Sequence, residues 1–135
     1  MEAMGWGRYP KTTAELIQPA DSQALQKFIS AQKKSASCIG RGSGRSYGDS
    51  ALAEQLVSSR FLDNFLELDQ QQNVLRCGAG VKLGDRLKIC IPRGLFLPVL
   101  PGTKAVSVGG AIAADVHGKN HHLDGSFCAH VKKIS

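Results

Sequence analysis

The stretch GRGSGRSYGDS, residues 40–50, decides the fold of this 135-residue chain. It follows a short apolar run, SCIG, that is typical of a β-strand. Its three alternate glycines let the backbone approach a ligand closely. Successive N–H groups in a turn of this kind form a nest that binds anions, and Arg41 and Arg45 would add positive charge. The stretch therefore predicts either an anion-binding loop or a solvent-exposed turn.

Neither of the two familiar glycine-rich nucleotide motifs is present in this stretch. Counted from Gly42 and Gly44, the third glycine of a G-x-G-x-x-G pattern would fall on Tyr47, and no G-K-[ST] triplet occurs. No helix is predicted directly after the stretch. The sequence thus favours a backbone nest over a phosphate site made of a strand, a glycine turn and a helix.

A second glycine-rich motif, PGTKAVSVGGAIAADVHGKNHH, occupies residues 101–122. Ser107 is a good N-cap for a helix that we expect to stop near Gly118. Backbone N–H groups and the helix dipole would favour a negative or electron-rich group at the start of this helix. Tight helix packing is the alternative explanation for its small residues, which are Gly109, Gly110, Ala111, Ala113 and Ala114.

Composition and charge limit the classes of function that the chain could have. The chain has 17 basic and 11 acidic residues, a net charge of +6, which suits an anionic partner. No basic run reaches five residues, so a disordered nucleic-acid-binding arm is not expected. The N-terminus lacks an apolar signal core, and no apolar run approaches the ~20 residues that cross a bilayer. We expect a cytoplasmic protein without a transmembrane segment.

The cysteines and histidines do not predict a metal site. Cys38 and Cys77 lie in strand-like runs and Cys90 in a helix-like run, and no C-x-x-C pair occurs, as expected of free thiols in a reducing compartment. His117, His121 and His122 have poor spacing for zinc, with or without Cys128 and His130. We therefore predict no metal.

The hydrophobic pattern predicts an α+β (α/β-like) fold with a mixed sheet. Residues 1–20 are expected to be an extended lead-in, and Pro98 and Pro101 argue against a central strand in residues 95–103. Asp21 is the expected N-cap of the first helix, whose last turn would hold Lys33 and Lys34. Helices are predicted at 22–34, 82–91 (ended by Pro92 and Gly94) and 107–118, and strands at 37–40, 55–58, 65–69 and 73–80.

Together the motifs resemble the FAD-binding (PCMH-type) domain of flavoprotein oxidases of the vanillyl-alcohol-oxidase type, and within them the decaprenylphosphoryl-ribose oxidase branch. The resemblance implies a PCMH-type domain with mixed sheets and flanking helices, incomplete at its C-terminus. Its parts would be a lead-in at 1–20, a first α/β subdomain at about 21–103 and the start of a second at about 104–135. The matching stretches are GWGR (5–8), RGSGRSYGD (41–49), GAGV (78–81), PRGLFLPVLPGT (92–103) and VSVGGAIAADVHGKNHHLDGSF (106–127).

The resemblance also implies the cofactor FAD and the residues that would hold it. The first loop would wrap the pyrophosphate with Gly40, Arg41, Gly42, Ser43, Gly44, Arg45, Ser46, Tyr47, Gly48, Asp49 and Ser50. The second motif would lie along the flavin with Gly102, Ser107, Val108, Gly109, Gly110, Ala114, Asp115, Val116 and His117. His117 and Lys119 would face the substrate, with Tyr47 near the same pocket.

One departure from the family pattern concerns the link to the flavin. Many relatives carry a histidine in the first loop that bonds covalently to FAD, whereas this chain has Arg45 there. A guanidinium cannot replace imidazole in that bond. We therefore predict non-covalent FAD, with Arg45 helping to neutralise phosphate charge.

The implied activity is that of an FAD-dependent oxidoreductase acting on CH–OH groups. It would oxidise the alcohol of a sugar or polyprenyl-phospho-sugar to a ketone or aldehyde by hydride transfer to FAD, with His117 and Lys119 as candidate catalytic residues. The substrate domain of the relatives is absent, so the chain alone is expected to be inactive. The alternatives are an aldonolactone- or alditol-type oxidase of the same superfamily, and a non-catalytic basic module that binds nucleic acid.

Overall fold

The computed structural model describes residues 1–32 and 37–135. It contains seven short strands, four helices and two 3₁₀ turns. The strands are β1 (Glu2–Met4), β2 (Lys11–Thr13), β3 (Glu15–Ile17), β4 (Cys38–Arg41), β5 (Gln55–Ser58), β6 (Phe65–Asp69) and β7 (Val74–Cys77). The helices are α1 (Ser22–Ala31), α2 (Leu83–Cys90), α3 (Val108–Ala113) and α4 (His121–Asp124), and the 3₁₀ turns are Ile91–Arg93 and Phe127–His130.

The strands form three small sheets of mixed direction. β5 is the centre of a parallel sheet with the order β3-β5-β4, and its Leu56 and Val57 are buried. β1 and β2 pair antiparallel, as do β6 and β7. The expected extended residues 1–20 thus supply three strands, one of which forms an edge of the parallel sheet. Both predicted strands at 55–58 and 65–69 are confirmed to the residue.

Helix α1 begins where the sequence predicts. The Asp21 carboxylate accepts a hydrogen bond from the Ala24 N–H at 2.7 Å, so the N-cap satisfies one of the first free donors of the helix. The helix ends at Ala31. Lys33 and Lys34, predicted in its last turn, lie outside the described residues.

Helix α2 ends next to Pro92 and Gly94, the residues predicted to stop it. Cys90 closes the α-helix, and a 3₁₀ turn with Pro92 in its first turn follows. Gly94 then takes a left-handed conformation with φ 70°, which glycine adopts without steric cost. Residues 95–103 contain no strand, as predicted from their prolines.

Helix α3 is shorter than predicted, and α4 was not predicted at all. We expected α3 to reach the neighbourhood of Gly118, but it ends at Ala113. The cause is Asp115, which has a left-handed φ of 40° and so cannot continue a right-handed helix. Asp115 is held in this conformation because its carboxylate accepts a hydrogen bond from the Cys128 N–H at 2.9 Å.

Two clusters of buried side chains hold the chain together. The smaller cluster joins the N-terminal strands to the parallel sheet through Ala3, Ala14 and Leu56. The larger cluster contains Val81, Leu83, Leu97, Val99, Val108, Ala111 and Phe127. It takes residues from both sides of position 103, and the division into subdomains near that position stays a prediction.

The cysteines lie where their local sequence predicted. Cys38 and Cys77 are half-buried in β4 and β7, and Cys90 is buried at the end of α2. Cys128 is exposed, and all four are free thiols. In the part of the chain that the structure describes, none of the helices has both the length and the apolar character needed to span a bilayer.

Candidate cofactor-binding site

The two glycine motifs meet at Gly42 and Ser107. Gly42 directly follows β4, and a β-carbon added to it would overlap the Ser107 hydroxyl. Ser107 is buried, with 2% of its surface exposed, and caps α3 by accepting a hydrogen bond from the Gly110 N–H at 3.2 Å. The start of the first loop therefore rests on the N-cap of α3.

The backbone donors of the first loop are free. None of the N–H groups of residues 42–50 donates to an acceptor within residues 1–32 or 37–135. Gly44 and Gly48 have φ values of 65° and 56°, so the chain reverses between left- and right-handed conformations along the loop. Consecutive N–H groups in such a turn converge on one side and form a concave site for an anion.

The donors at the start of α3 are, by contrast, already used. Val108 N–H donates to the Val81 carbonyl and Gly109 N–H to the Ala79 carbonyl, both at 2.8 Å. Gly110 N–H is taken by the Ser107 cap. The expectation that these amides would attract a negative group is therefore wrong.

The small residues of α3 serve close packing instead. A β-carbon on Gly109 would lie 3.1 Å from the β-carbon of Ala79, which is tighter than ordinary van der Waals contact. This is the alternative that the sequence left open. Whether the residues from Ser107 to Gly110 also contact a flavin stays a prediction.

The two arginines of the first loop have different surroundings. The half-buried Arg41 donates through Nη2 to the Met4 carbonyl at 2.8 Å and through Nη1 to the Ala51 carbonyl at 3.3 Å. Arg45 is exposed, and its guanidinium carbon lies 5.1 Å from the centre of the Trp6 ring. In the described residues neither arginine forms a salt bridge, so both charges are available to an anionic ligand.

An N-terminal contact, which sequence reasoning missed, also holds this loop. Trp6 N–H donates to the Ser46 carbonyl at 2.8 Å, and Gly5 is buried against the carbonyls of Ser46 and Gly48. The signal was present in the sequence, because glycines flank the tryptophan in GWGR and permit such a close approach.

Internal hydrogen bonds close the second half of the loop. The Ser50 hydroxyl donates to the Tyr47 carbonyl at 2.7 Å, and Leu52 N–H donates to the Asp49 carbonyl at 2.9 Å. The Tyr47 side chain is 78% exposed beside these turns. Three carbonyls of the loop, those of Ser46, Tyr47 and Asp49, are therefore engaged, while the N–H groups of residues 42–50 stay free.

The segment that follows α3 is anchored to the C-terminal 3₁₀ turn. The Cys128 N–H and, secondarily, the Ser126 hydroxyl hold the pKa of Asp115 below its ordinary value. The hydrogen bond to Asp115 in turn raises the pKa of the Cys128 thiol. Asp115, predicted as a cofactor contact, thus has a structural partner of its own.

The histidines predicted near the substrate cluster on the surface. The rings of His117 and His121 have centroids 5.0 Å apart, and His121 and His122 are 5.9 Å apart. Lys119 is exposed between them in sequence, and Gly102 has open space around its α-carbon. Within the described ranges, no group of three or more His, Cys, Asp or Glu side chains could hold a metal ion.

A pocket of about 710 Å³ lies away from the glycine loop. It is bordered by the β6–β7 hairpin and the last residues of the chain, with Leu66, Phe96 and Phe127 among its lining side chains. No residue of the first loop lines this pocket. The free N–H groups of residues 42–50 therefore belong to a different part of the surface.

Comparison with known proteins identifies the class. The sequence model of the family described as "FAD binding domain" matches residues 13–135. The chain belongs to this family of FAD-binding domains, and FAD is its cofactor.

Two sequence relatives define the relationship further. The chain is 39% identical to the decaprenylphosphoryl-beta-D-ribose oxidase of Mycolicibacterium smegmatis over 97% of its own length and 29% of the relative. It is 32% identical to the D-lactate dehydrogenase of Archaeoglobus fulgidus over 76% of its length and 24% of the relative. The chain therefore spans less than a third of the length of these relatives.

Solved structures confirm the predicted PCMH-type α+β fold. Cholesterol oxidase from Brevibacterium sterolicum superposes with a TM-score of 0.74 at 17% identity, over 87% of this chain and 24% of that one. An alkyldihydroxyacetonephosphate synthase superposes with a TM-score of 0.67 at 18% identity, over 82% and 22%. At these identities the likeness is one of fold alone.

Proposed function

We propose that the loop at residues 42–50 binds the pyrophosphate of FAD. The observation that carries this proposal is the row of unpaired N–H donors in the loop. A pyrophosphate offers acceptor oxygens and negative charge, so it complements the free N–H donors of the loop. Hydrogen bonds between N–H groups and a charged acceptor are each worth roughly 1.5–3 kcal/mol.

The charges near the loop support the same ligand. The Arg45 guanidinium lies over the Trp6 ring, 5.1 Å from its centre, which brings a positive charge beside the loop for phosphate oxygens. The substitution of histidine by Arg45 supports non-covalent FAD, because a guanidinium does not form the imidazole–flavin bond. Gly40 and the remaining loop residues to Ser50 complete the proposed pyrophosphate site.

The flavin end of the cofactor is proposed to lie along the second motif. Because the first amides of α3 are paired, contact there would be made by the partly exposed glycines Gly109 and Gly110. Gly102 and the residues from Ala114 to His117 complete the proposed contact. The Asp115 carboxylate would act through the backbone it holds, since it already accepts from Cys128 N–H.

The longer protein is proposed to oxidise the alcohol of a sugar or phospho-sugar. FAD, when bound, supplies the chemistry by accepting a hydride from the alcohol carbon. Support comes from the two relatives, which are named for acting on a phosphorylated ribose and on lactate. Lys119 would pair with a substrate phosphate, and His117 would orient the substrate through a ring nitrogen. A cytoplasmic location is proposed too, supported by four free thiols.

Comparison of three ligands tests the pyrophosphate site directly. FAD, ADP and riboflavin would be titrated into the chain, with flavin fluorescence and calorimetry as readouts. Riboflavin lacks the phosphates, so we expect it to bind at least about tenfold more weakly than FAD, the loss of one charged hydrogen bond. Equal binding of riboflavin and FAD would contradict the proposal.

A matched pair of glycine variants separates loop geometry from general damage. Gly48 and Gly94 both have a left-handed φ and open space for a β-carbon, but only Gly48 lies in the glycine loop. Gly48→Ala should weaken FAD and ADP binding, while Gly94→Ala should not. Salt-sensitive DNA binding without FAD binding would instead favour the basic nucleic-acid-binding module.

A further inference from the structure

A short N-terminal arm, residues 4–6, contacts the glycine loop at several points. Gly5 is buried there, and a β-carbon on it would lie 2.6 Å from the Ser46 carbonyl oxygen and 3.0 Å from that of Gly48. Trp6 N–H, the next donor along the arm, bonds the same Ser46 carbonyl at 2.8 Å. The arm therefore packs against the middle of the loop and bonds one of its carbonyls.

Arg41 connects this arm to both ends of the loop. It lies at the start of the loop, bonds the Ala51 carbonyl at the end of the loop, and bonds the Met4 carbonyl of the arm. The loop also folds closely over the guanidinium, since a β-carbon on Gly44 would lie 2.7 Å from Nη2. A planar group with several fixed donors can hold such distant carbonyls in one arrangement.

We propose that the arm and Arg41 form a clamp that sets the conformation of the glycine loop, with Arg41 as a positioning residue. The family model matches residues 13–135, whereas the arm precedes them and overlaps GWGR at 5–8, one of the stretches that carry the resemblance. The consequence for FAD rests on the proposed function, whereas the clamp itself is a property of the chain without ligand.

The clamp has a clear energetic role. The free N–H groups of residues 42–50 contribute no bonds that hold the loop in place, and a loose loop loses conformational entropy when a ligand orders it. Holding the loop in place beforehand reduces that loss and so strengthens binding. The two groups that Arg41 bonds, at Met4 and Ala51, are backbone carbonyls and not side chains. The clamp therefore depends on the Arg41 side chain and on the close packing of Gly5 against the loop.

The first test compares Gly5→Ala with Gly7→Ala. A β-carbon at position 5 meets two loop carbonyls, whereas one at position 7 meets nothing within 4 Å. Trp6 is the only tryptophan of the chain and reports on the arm through its fluorescence emission and its quenching by acrylamide. We expect stronger quenching and a red-shifted emission in Gly5→Ala alone, with about tenfold weaker FAD binding, the loss expected for one hydrogen bond to a charged group.

The second test replaces Arg41. Arg41→Met removes all donors, and Arg41→Lys keeps the charge and restores one bond at most. Arg76→Met, at an exposed position of β7, is the matched control. We expect the Trp6 signal and the FAD affinity to change most in Arg41→Met, partly in Arg41→Lys and not in Arg76→Met, measured at temperatures where all variants are folded by circular dichroism.

The measurements test the clamp and the proposed function of the loop independently of each other. Identical Trp6 quenching in Gly5→Ala and Gly7→Ala would overturn the clamp. The clamp would also be overturned if Arg41→Lys lowered the unfolding temperature but left the Trp6 signal of the folded chain unchanged. If the unaltered chain binds neither FAD nor ADP, the proposed function of the loop fails, and the Trp6 measurements still decide on the clamp. The glycine pair keeps the test valid if Arg41→Met does not fold.

Discussion

Gly42 lies so close to Ser107 that no side chain fits between them. The contact joins two parts of the molecule that have separate cores. Gly42 extends from β4 of the parallel sheet, which packs on the smaller cluster, and Ser107 caps α3, which packs in the larger one. The glycine loop is therefore fixed at the junction of these two cores.

Gly42→Ala should destabilise the fold, and Ser107→Gly should relieve the damage. The added methyl overlaps the Ser107 hydroxyl, and overpacking of this kind costs about 1–3 kcal/mol. Glycine is itself an acceptable N-cap, so Ser107→Gly alone should cost only a few tenths of a kcal/mol. Urea unfolding of both single variants and the double variant would measure the coupling between the two sites.

Gly40→Ala is the control for this cycle, because a β-carbon there has open space. It should unfold at nearly the same urea concentration as the unaltered chain. Strictly additive effects of the two substitutions would show that Gly42 and Ser107 do not press on each other.

Flavin should leave the protein on acid precipitation. Arg45 occupies the position of the flavin-linking histidine of many relatives, and its guanidinium forms no such bond. The chain would be saturated with FAD, precipitated with trichloroacetic acid, and the absorbance of pellet and supernatant compared. Yellow colour that stays with the pellet after washing would refute non-covalent binding.

Arg45→Met should weaken FAD binding and reduce its dependence on salt. The substitution keeps most of the side-chain length over Trp6 but removes the positive charge. An exposed charge acts on phosphate mainly through a screened field, so its contribution fades as ionic strength rises. FAD titrations at low and high salt should therefore differ less in the variant than in the unaltered chain. Lys27→Met, at an exposed position of α1, is the control.

Asp115→Asn should accelerate alkylation of Cys128. The hydrogen bond and negative charge of Asp115 raise the pKa of this exposed thiol, so less reactive thiolate is present at mildly alkaline pH. Asparagine keeps the acceptor oxygen and tolerates the left-handed backbone at position 115. The rate would be followed with iodoacetamide and peptide mass spectrometry, with buried Cys90 as internal control. An unchanged rate would rule out the electrostatic effect.

Acid should remove the stabilising effect of Asp115. Its pKa in the folded chain is lowered from the ordinary value of 3.8, so folding favours the ionised carboxylate. This stabilisation is fully present above the unfolded-state value and is lost as the pH falls through the lower folded-state pKa. The stability difference between the unaltered chain and Asp115→Asn, measured by urea unfolding, should therefore shrink in acid. A constant difference across this pH range would contradict the shift.

Local sequence signals predicted most of the elements. Asp21 as N-cap and the short apolar runs of β5 and β6 require only neighbouring residues, and these predictions are confirmed. The end of α3 depends on a contact between Asp115 and Cys128, thirteen positions along the chain, and no local pattern contains it.

The candidate site shows the same difference between features set by neighbouring residues and features set by distant contacts. The glycine spacing favoured a backbone nest in the first loop, but the N–H groups of Val108 and Gly109 bond residues that are distant in sequence, so their unavailability was not predictable. Likewise, Arg41 has the composition of a phosphate ligand, and only the fold shows its bond to the Met4 carbonyl.

The position of the glycine loop between β4 and β5 also limits how the loop can change in length. These strands are parallel neighbours, so the chain must return along the sheet through residues 42–54. Such a crossover needs about a dozen residues or more, and a helix usually supplies them. Here the ligand loop itself makes the return. Deletions in it would break strand pairing as well as the anion site, whereas insertions would meet no such barrier, so natural variation in this loop should run toward greater length.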